Sequence, residues 1–345
     1  MSQSDPEAML RAIRDRHPSK PPDTRSELRP QWAQLCQTIA AFLDEVVSLK
    51  EQATPPEPGS RLDREIAGLE VRSRAGRQIR ALQTAIVPAA MSFNVAADSL
   101  RALAAALPAV ETVLPLEVLA RHILECASTA LWLVDPSIGS RARVARMFLL
   151  RYESGTQEVR AARAVGTSPA GPTPEQVAEI ASAWGWDLQM SAKGRVLAVE
   201  GEKLAVHTER ANEVLRRIQA AGAYNLYSGS AHSEIYGLWR SLSPPMDAAG
   251  ETYLLMSFDY LAAWHAVRVA NLSALTAALD YRDLKGRNTS EVQQMIAGCE
   301  TALALLRPDV DHPHLTGGNV THRRAPRVKP PKPEQGQLGW DGSDA

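Results

Sequence analysis

Cysteines, aromatic residues and long apolar runs are all scarce in this chain, and each shortage excludes a class of protein. The 345 residues include only three cysteines, Cys36, Cys126 and Cys299, which lie far apart in apolar helical patterns. Their odd number and wide spacing argue against a disulfide framework and a zinc site, and fit a reducing cytoplasm. Aromatic residues make up 5% of the chain, and this low fraction favours helices over a β-sandwich.

The chain also lacks an excess of either charge and an uninterrupted apolar segment. Its 38 basic and 39 acidic residues leave a net charge of -1, so the whole molecule is not drawn to nucleic acid or to acidic membranes. The longest apolar run, residues 254–279, contains Asp259, His265, Arg268 and Asn271, which indicates a buried helix and not a membrane span. No secretory signal opens the sequence. We therefore expect a soluble, cytoplasmic protein that does not contact a membrane.

Apolar residues recur every three or four positions through most of the chain, which predicts an all-α, multi-helix bundle. The predicted bundle domain covers residues 31–307, with subdomains at 31–110 and 115–307 as one way to divide it. A small irregular or hairpin excursion is predicted near 185–201. Proline-rich, polar composition predicts disordered tails over 1–30 and 308–345, and the second of these is basic.

Several elements can be placed more closely. Residues 115–134 and the helix that follows are predicted to form an αα-hairpin in the densest part of the core, and a long helix over 251–282 is predicted to be the spine of the bundle. Arginines between 61 and 80 form a basic stripe, which suits either phosphate binding or a solvated helix face. Thr173 with Gln176, and Ser290 with Gln293, each have the spacing of a helix capping box.

The stretch from Tyr224 to Glu234 is the most distinctive polar segment, because small and polar residues interrupt a helical pattern there. Within it, Ser228 and His232 lie one turn apart if the segment is helical. Arg121 and Glu125 are likewise one turn apart on an earlier helix. If the two helices face one another, His232, Arg121, Glu125 and Ser228 form a hydrogen-bonded cluster and are the candidate catalytic residues. The alternative is a buried polar network that fixes the helix register without chemistry.

The segments Arg121 to Glu125, Trp132 to Pro136 and Tyr224 to His232 resemble uncharacterised bacterial helical proteins, which are similar in turn to the HEPN superfamily of helical bundles. The resemblance covers roughly residues 116–284. It implies metal-independent RNA cleavage at a dimer interface, by an arginine that is followed by a polar residue and then by a histidine. His232 matches that histidine, but Asn225 or Leu226 stands where the arginine is expected. Arg121 could supply the guanidinium from another helix.

These observations lead us to expect an interaction or regulatory module of unknown specific activity, with a HEPN-like ribonuclease of a defence or toxin–antitoxin system as the alternative. The expected partners are a second copy of the chain, a protein that binds the C-terminal tail, and RNA. No cofactor is expected, because the phosphate-loop, dinucleotide and zinc motifs are missing. The histidines between 312 and 322 are not expected to bind a metal, because a flexible tail holds no fixed ligand geometry.

Overall fold

The computed structural model describes residues 25–70, 82–232, 242–243, 255–256 and 258–308, and nearly all of their regular structure is helical. The predicted all-α class is therefore confirmed. The helices are α1 (Arg25–Val46), α2 (Leu49–Ala53), α3 (Arg61–Glu70), α4 (Val87–Ala106), α5 (Leu114–Val134), α6 (Ser140–Val165), α7 (Pro174–Ala183), α8 (His207–Arg217), α9 (Ala223–Ala231), α10 (Tyr260–Lys285) and α11 (Ser290–Leu305). The strands are β1 (Leu188–Met190), β2 (Val196–Val199), β3 (Glu202–Lys203), β4 (Leu242–Ser243) and β5 (Leu255–Met256).

Two long helices, α5 and α10, form the centre of the bundle. α5 packs against α4, α8, α9 and α10, and α10 also packs against α1 and α11. Fully buried alanines, among them Ala263, Ala266 and Ala270, line α10. Alanine favours the helix, and its small side chain lets neighbouring helix axes come close together. The predicted spine is therefore α10, with α5 beside it.

α6 turns away from this centre. It packs mainly against α7 and strand β2, and its Phe148 ring lies 5.8 Å from the ring of Trp184 and 6.3 Å from that of Trp186. β1 and β2 are antiparallel, and β3 adds a third strand at Glu202–Lys203. The predicted excursion near 185–201 is thus confirmed. The expectation that α5 and α6 form the densest part of the core is wrong, because α5 packs most closely with α10 and α4.

Helix starts show where local sequence signals suffice. At α7, Thr173 Oγ1 accepts a hydrogen bond from Gln176 N, and Gln176 Oε1 accepts one from Thr173 N, which confirms the predicted capping box. At α11 the predicted box is wrong. Thr289 is the capping residue there, its side chain makes no capping hydrogen bond, and Ser290 N donates instead to Asn288 Oδ1.

Two helices begin at other residues than the apolar pattern indicates. α1 begins at Arg25, before the expected start at Gln31, and contains Pro30. α10 begins at Tyr260 and not at Glu251, because Asp259 Oδ1 accepts a hydrogen bond from Ala262 N at 2.9 Å and caps the helix there. Just before this cap, β5 pairs with β4.

Several predictions fall outside the described residues. Of the predicted disordered tails at 1–30 and 308–345, residues 1–24 and 309–345 lie outside, whereas residues 25–30 are helical. The part of the basic stripe at 71–81 also lies outside. By their contacts, the described residues up to Pro308 belong to one unit. Helices of the two proposed subdomains contact one another, since α1 and α4 pack on α10. In the portion of the chain that is described, no helix has the length and hydropathy needed to cross a bilayer.

A buried ion pair joins α3 to α6. Arg143, whose side chain is fully buried, donates from Nε and Nη2 to the two carboxylate oxygens of Glu65 at 3.1 and 2.9 Å. Its guanidinium also donates to the carbonyl oxygens of Leu133 and Ile138. The same arginine therefore holds α3, the end of α5 and the start of α6 together.

Candidate functional site

The predicted polar centre forms where α9 packs against α5. Arg121 and Glu125 lie one turn apart on α5 and share a face. α9 begins after Gly222, whose φ of 86° lies in the left-handed region that favours glycine. Behind the cluster, buried Ser230 of α9 donates a hydrogen bond to the buried carboxylate of Glu117 on α5. This bond and the small residues around it hold the two helices close together.

Four polar side chains meet at this contact. Arg121 Nε donates to Glu125 Oε1 at 2.9 Å, Arg121 Nη1 lies 3.3 Å from His232 Nε2, and Arg121 Nη2 lies 3.4 Å from the Tyr224 hydroxyl. The Tyr224 hydroxyl donates to the same Glu125 oxygen at 3.0 Å. We call Arg121, Glu125, Tyr224 and His232 the Arg121 cluster. It contains three of the four residues that the sequence indicated, and Tyr224 in addition.

The charges of the cluster are fixed by these contacts. Burial acts against the charged form of Arg121, but the hydrogen bond and the attraction of Glu125 outweigh it, so the pKa of Arg121 is raised. Burial and the Glu125 carboxylate also raise the pKa of Tyr224. At neutral pH Arg121 is therefore a guanidinium cation, and Tyr224 is a protonated phenol that donates to Glu125.

His232 occupies the solvent edge of the cluster. It follows the last residue of α9, its backbone N donates to the carbonyl oxygen of Ser228 at 3.0 Å, and its side chain is exposed. Because a guanidinium nitrogen has only hydrogens to offer, the contact with Arg121 requires a lone pair on His232 Nε2. In such a hydrogen bond Nε2 is the acceptor and the ring proton lies on Nδ1. A neutral imidazole is the form that can accept a proton.

The fourth predicted residue, Ser228, is not part of the cluster. Its half-buried side chain makes no hydrogen bond to the cluster in the described structure, and its backbone carbonyl alone contacts His232. The buried serine of α9 that does bind across the interface is Ser230. The sequence placed Ser228 one turn from His232 correctly, but the end of α9 turns the histidine towards α5.

A second arginine–histidine pair lies nearby and was missed in the sequence. Arg210 Nη2 lies 2.9 Å from His207 Nδ1, and Arg210 Nη1 donates to the carbonyl oxygen of Ala205 at 3.1 Å. The guanidinium also lies 5.4 Å from the centroid of the Trp132 ring. Arg210 is only 5% exposed. Nothing in the sequence separates Arg210 from Arg216 and Arg217 of the same helix, because its burial depends on tertiary packing.

The two pairs share one electrostatic environment. Burial and Arg210 lower the pKa of His207, while Glu125 acts in the opposite direction. His207 is exposed as a whole, but its Nδ1 edge lies against the buried guanidinium. Burial also lowers the pKa of Arg210, and attraction to Glu125 offsets part of that effect. Glu125 thus attracts both arginines.

The described residues do not support a metal site or a cysteine nucleophile. Across them, no three His, Cys, Asp or Glu side chains come together in a group that could hold a metal ion. Cys36 and Cys299 are buried and Cys126 is half-buried, and burial raises the pKa of Cys36 and of Cys126 to about 12. None of the three is available as a thiolate nucleophile.

Comparison with known proteins does not assign the chain to a group. No family model, curated protein or solved structure matches it. Any functional conclusion therefore depends on the site itself.

Proposed function

We propose that the chain cleaves RNA without a metal ion, at Arg121 and His232. The observation that carries this proposal is the 3.3 Å contact between Arg121 Nη1 and His232 Nε2 at an exposed edge of the bundle. Cleavage through the ribose 2′-hydroxyl needs a proton acceptor and a cation beside the phosphorus. An exposed imidazole whose Nε2 faces a guanidinium meets both needs.

In the proposed reaction, His232 Nε2 removes the proton of a 2′-hydroxyl, and the 2′-oxygen attacks the adjacent phosphorus. The bond from phosphorus to the 5′-oxygen of the next nucleotide breaks, and that oxygen takes a proton from water. The hydroxide that forms takes the proton from the His232 imidazolium, which restores the site. The products are a 2′,3′-cyclic phosphate and a 5′-hydroxyl. Arg121 stabilises the charge that grows on the phosphoryl oxygens. When the Nη1 group of Arg121 donates to the phosphate and no longer to His232, the Nε2 lone pair of His232 is free to accept the proton.

Glu125 and Tyr224 have a positioning role in this proposal. Both contact the guanidinium of Arg121 directly, Glu125 by an ion pair at 2.9 Å and Tyr224 at 3.4 Å. Holding the guanidinium in one place before the reaction reduces the reorganisation that the transition state requires.

The resemblance to the HEPN superfamily supports the same chemistry, with one difference in how the site is built. In that superfamily the arginine precedes the histidine by a few residues, and here Asn225 and Leu226 occupy those positions. In our proposal the guanidinium comes from Arg121 of α5, and the histidine comes from the end of α9. The resemblance also implies a homodimer, which we propose and which light scattering of the purified chain would test.

Incubation of the full chain with total RNA in EDTA tests the proposal. We expect the wild-type chain to degrade the RNA, and His232→Ala to lower the rate by about 10²- to 10⁴-fold, the usual contribution of a proton-transfer group. His122→Ala is the matched control, because His122 is an exposed histidine of α5 outside the cluster. Intact RNA with the wild-type chain, or equal rates for the wild type and His232→Ala, would exclude the proposed reaction.

The interaction or regulatory module stays a separate prediction. It depends on the tail from 308 to 345, whose residues beyond Pro308 lie outside the described structure. A stoichiometric partner that copurifies with the full chain and is lost when residues 308–345 are removed would support it. A partner profile that does not change would exclude the tail as the binding segment.

A further inference from the structure

A cavity of about 420 Å³ lies between α5, the turn that follows it, and α8. Pockets for small organic ligands usually measure about 300–1,000 Å³, so this cavity can hold one. Its lining combines apolar, hydroxyl and charged residues: Ser128, Leu131, Trp132, Asp135, Pro136, Ser137, Arg210, Glu213 and Arg217. None of these residues belongs to the Arg121 cluster.

The acidic residues of the lining already have cationic partners. Asp135 Oδ2 accepts a hydrogen bond from Arg146 Nη1 at 3.2 Å, and Asp135 Oδ1 accepts one from the Ser137 hydroxyl at 2.6 Å. Glu213 Oε1 accepts from Arg217 Nε at 3.1 Å, and its other oxygen accepts from Arg216. Burial acts to raise the pKa of Asp135, but the hydrogen bonds from Ser137 and Arg146 outweigh it and lower the pKa. Arg216 and Arg217 lower the pKa of Glu213. Both carboxylates are therefore ionised and compensated.

Arg210 differs from every other charged residue of this lining. It is buried, and in the described part of the chain no carboxylate lies within ion-pair distance of its guanidinium. Nη1 and Nη2 contact the Ala205 carbonyl and the His207 ring, which are both neutral, and Nε is buried with no acceptor among the described residues. A buried charge without a counter-ion is unfavourable. An anion in the cavity would supply that counter-ion.

We propose that this cavity is a phosphate-binding pocket in which Arg210 supplies the main cationic contact. Guanidinium groups match the geometry of phosphate and can bind it through two N–H groups at once. Arg217, whose side chain is 31% exposed, provides a second guanidinium on the same helix. The phosphate can belong to a small phosphomonoester or to an RNA strand. Either source satisfies the same contact, and the proposal does not depend on cleavage at His232.

Calorimetric titration of the full chain with inorganic phosphate tests the pocket. We expect binding to the wild-type chain, and Arg210→Gln to weaken it by about tenfold or more, since a charged hydrogen bond contributes roughly 1.5–3 kcal/mol. Arg101→Gln is the control, because Arg101 is a half-exposed arginine of α4 far along the chain from the pocket. No binding by the wild-type chain, or equal affinities for wild type and Arg210→Gln, would overturn the proposal.

Variants of exposed Ser137 and half-buried Glu213 test the same proposal if Arg210→Gln does not fold. Ser137→Glu adds a negative charge to the lining at an exposed residue, and we expect it to weaken phosphate binding. Glu213→Gln removes a negative charge from the lining and frees Arg217 from one partner, and we expect it to strengthen binding. Shifts of the same sign in both variants, or no shift in either, would contradict a phosphate in this cavity.

Competition against phosphate separates the two sources. Adenosine 5′-monophosphate and a 2′-O-methyl oligoribonucleotide, which cannot be cleaved, are each titrated into His232→Ala protein saturated with phosphate. Displacement by the monophosphate assigns a small phosphomonoester, and displacement by the oligonucleotide alone assigns an RNA phosphate. Failure of both to displace phosphate would overturn the assignment of a biological phosphate to this pocket.

Discussion

Exposure divides the Arg121 cluster into a largely buried part and an exposed histidine. Tyr224 is 5% exposed and the Arg121 side chain 17%, whereas His232 is exposed. Polar groups that are removed from water need hydrogen-bond partners whatever else they do. Loss of Glu125, the acceptor that Arg121 and Tyr224 share, should therefore reduce stability. Loss of His232 should reduce activity alone.

The first prediction compares these two residues by urea denaturation. Glu125→Ala should lower the free energy of unfolding by about 1–3 kcal/mol, because it leaves two partly buried donors without their acceptor. His232→Ala should change it by less than about 0.5 kcal/mol, as is usual for exposed positions. If His232→Ala destabilises the chain as much as Glu125→Ala, the histidine is part of a structural network.

A second prediction concerns the pH dependence of stability through His207. Burial and Arg210 lower the pKa of His207 in the folded chain below its ordinary value of 6.5. The unfolded chain therefore binds more protons than the folded chain between the two pKa values, and the free energy of unfolding rises with pH in that window. Stability should be lost as the pH falls below 6.5, towards the folded pKa.

His207→Asn should remove that contribution. We expect its free energy of unfolding, measured by urea denaturation at a series of pH values, to depend less steeply on pH in the same window. His122→Asn, which alters an exposed histidine of α5, serves as the control. The same pH slope in His207→Asn and in the wild-type chain would show that Arg210 does not perturb His207.

At the scale of single elements, a local signal predicted one helix start correctly and another wrongly, and features that depend on packing were not predicted. The capping box of Thr173 and Gln176 needs only residues that are three apart, and it forms as predicted. The box at Ser290 fails because Asn288 supplies the acceptor and the helix starts one residue earlier than the pattern requires. The direction of α6 depends on its contacts with α7 and β2, which the apolar period of α6 does not reveal.

The candidate site follows the same rule. Arg121 and Glu125 were recognisable as a pair because they are one helical turn apart. Whether they contact His232 depends on how α9 packs on α5, and the sequence alone does not determine that packing. Arg210 was not recognisable at all, since an arginine on a short, polar helix normally faces water. Burial beside Trp132 is what gives it a role.

A third prediction tests the helix caps. Thr173→Ala should lower the free energy of unfolding by about 1 kcal/mol, because the amide of Gln176 loses its acceptor. Thr289→Ala should have a smaller effect, because Thr289 occupies the same cap position without a capping hydrogen bond. Thermal or urea unfolding of the two variants measures the difference. Equal losses would mean that the hydrogen bond of Thr173 is not what stabilises α7.

At the scale of the whole molecule, the Arg143–Glu65 ion pair links helices that are distant in sequence. Arg143 is fully buried and Glu65 is 10% exposed. Removing one partner of a buried pair leaves a charge without compensation, and this usually destabilises a protein by about 3–5 kcal/mol.

The fourth prediction follows from this link. Glu65→Ala should lower the free energy of unfolding by about 3 kcal/mol or more. Asp98→Ala, which breaks the exposed pair with Arg101, should change it by less than about 1 kcal/mol. Similar effects of the two substitutions in urea denaturation would contradict a buried, structural role for the pair.

The Arg121 cluster and the proposed phosphate pocket lie along the same two helices. Arg121, Glu125, Ser128 and Trp132 recur every three or four residues on α5 and therefore share a face, and Arg210 and Arg217 of α8 lie opposite. From Arg121 to Trp132 the helix rises about 16 Å, which is enough for several nucleotides of an extended strand. If both proposals hold, the two sites are close enough to contact one RNA strand, with the proposed cleavage next to His232.

The most direct test of the central claim uses two matched RNA oligonucleotides in EDTA, one with ordinary riboses and one with 2′-O-methyl groups throughout. We predict that the wild-type chain cleaves only the first, leaves 2′,3′-cyclic phosphate ends that mass spectrometry identifies, and loses this activity in His232→Ala. Cleavage of the 2′-O-methyl strand, or cyclic phosphate ends formed equally by His232→Ala, would contradict the proposed role of Arg121 and His232.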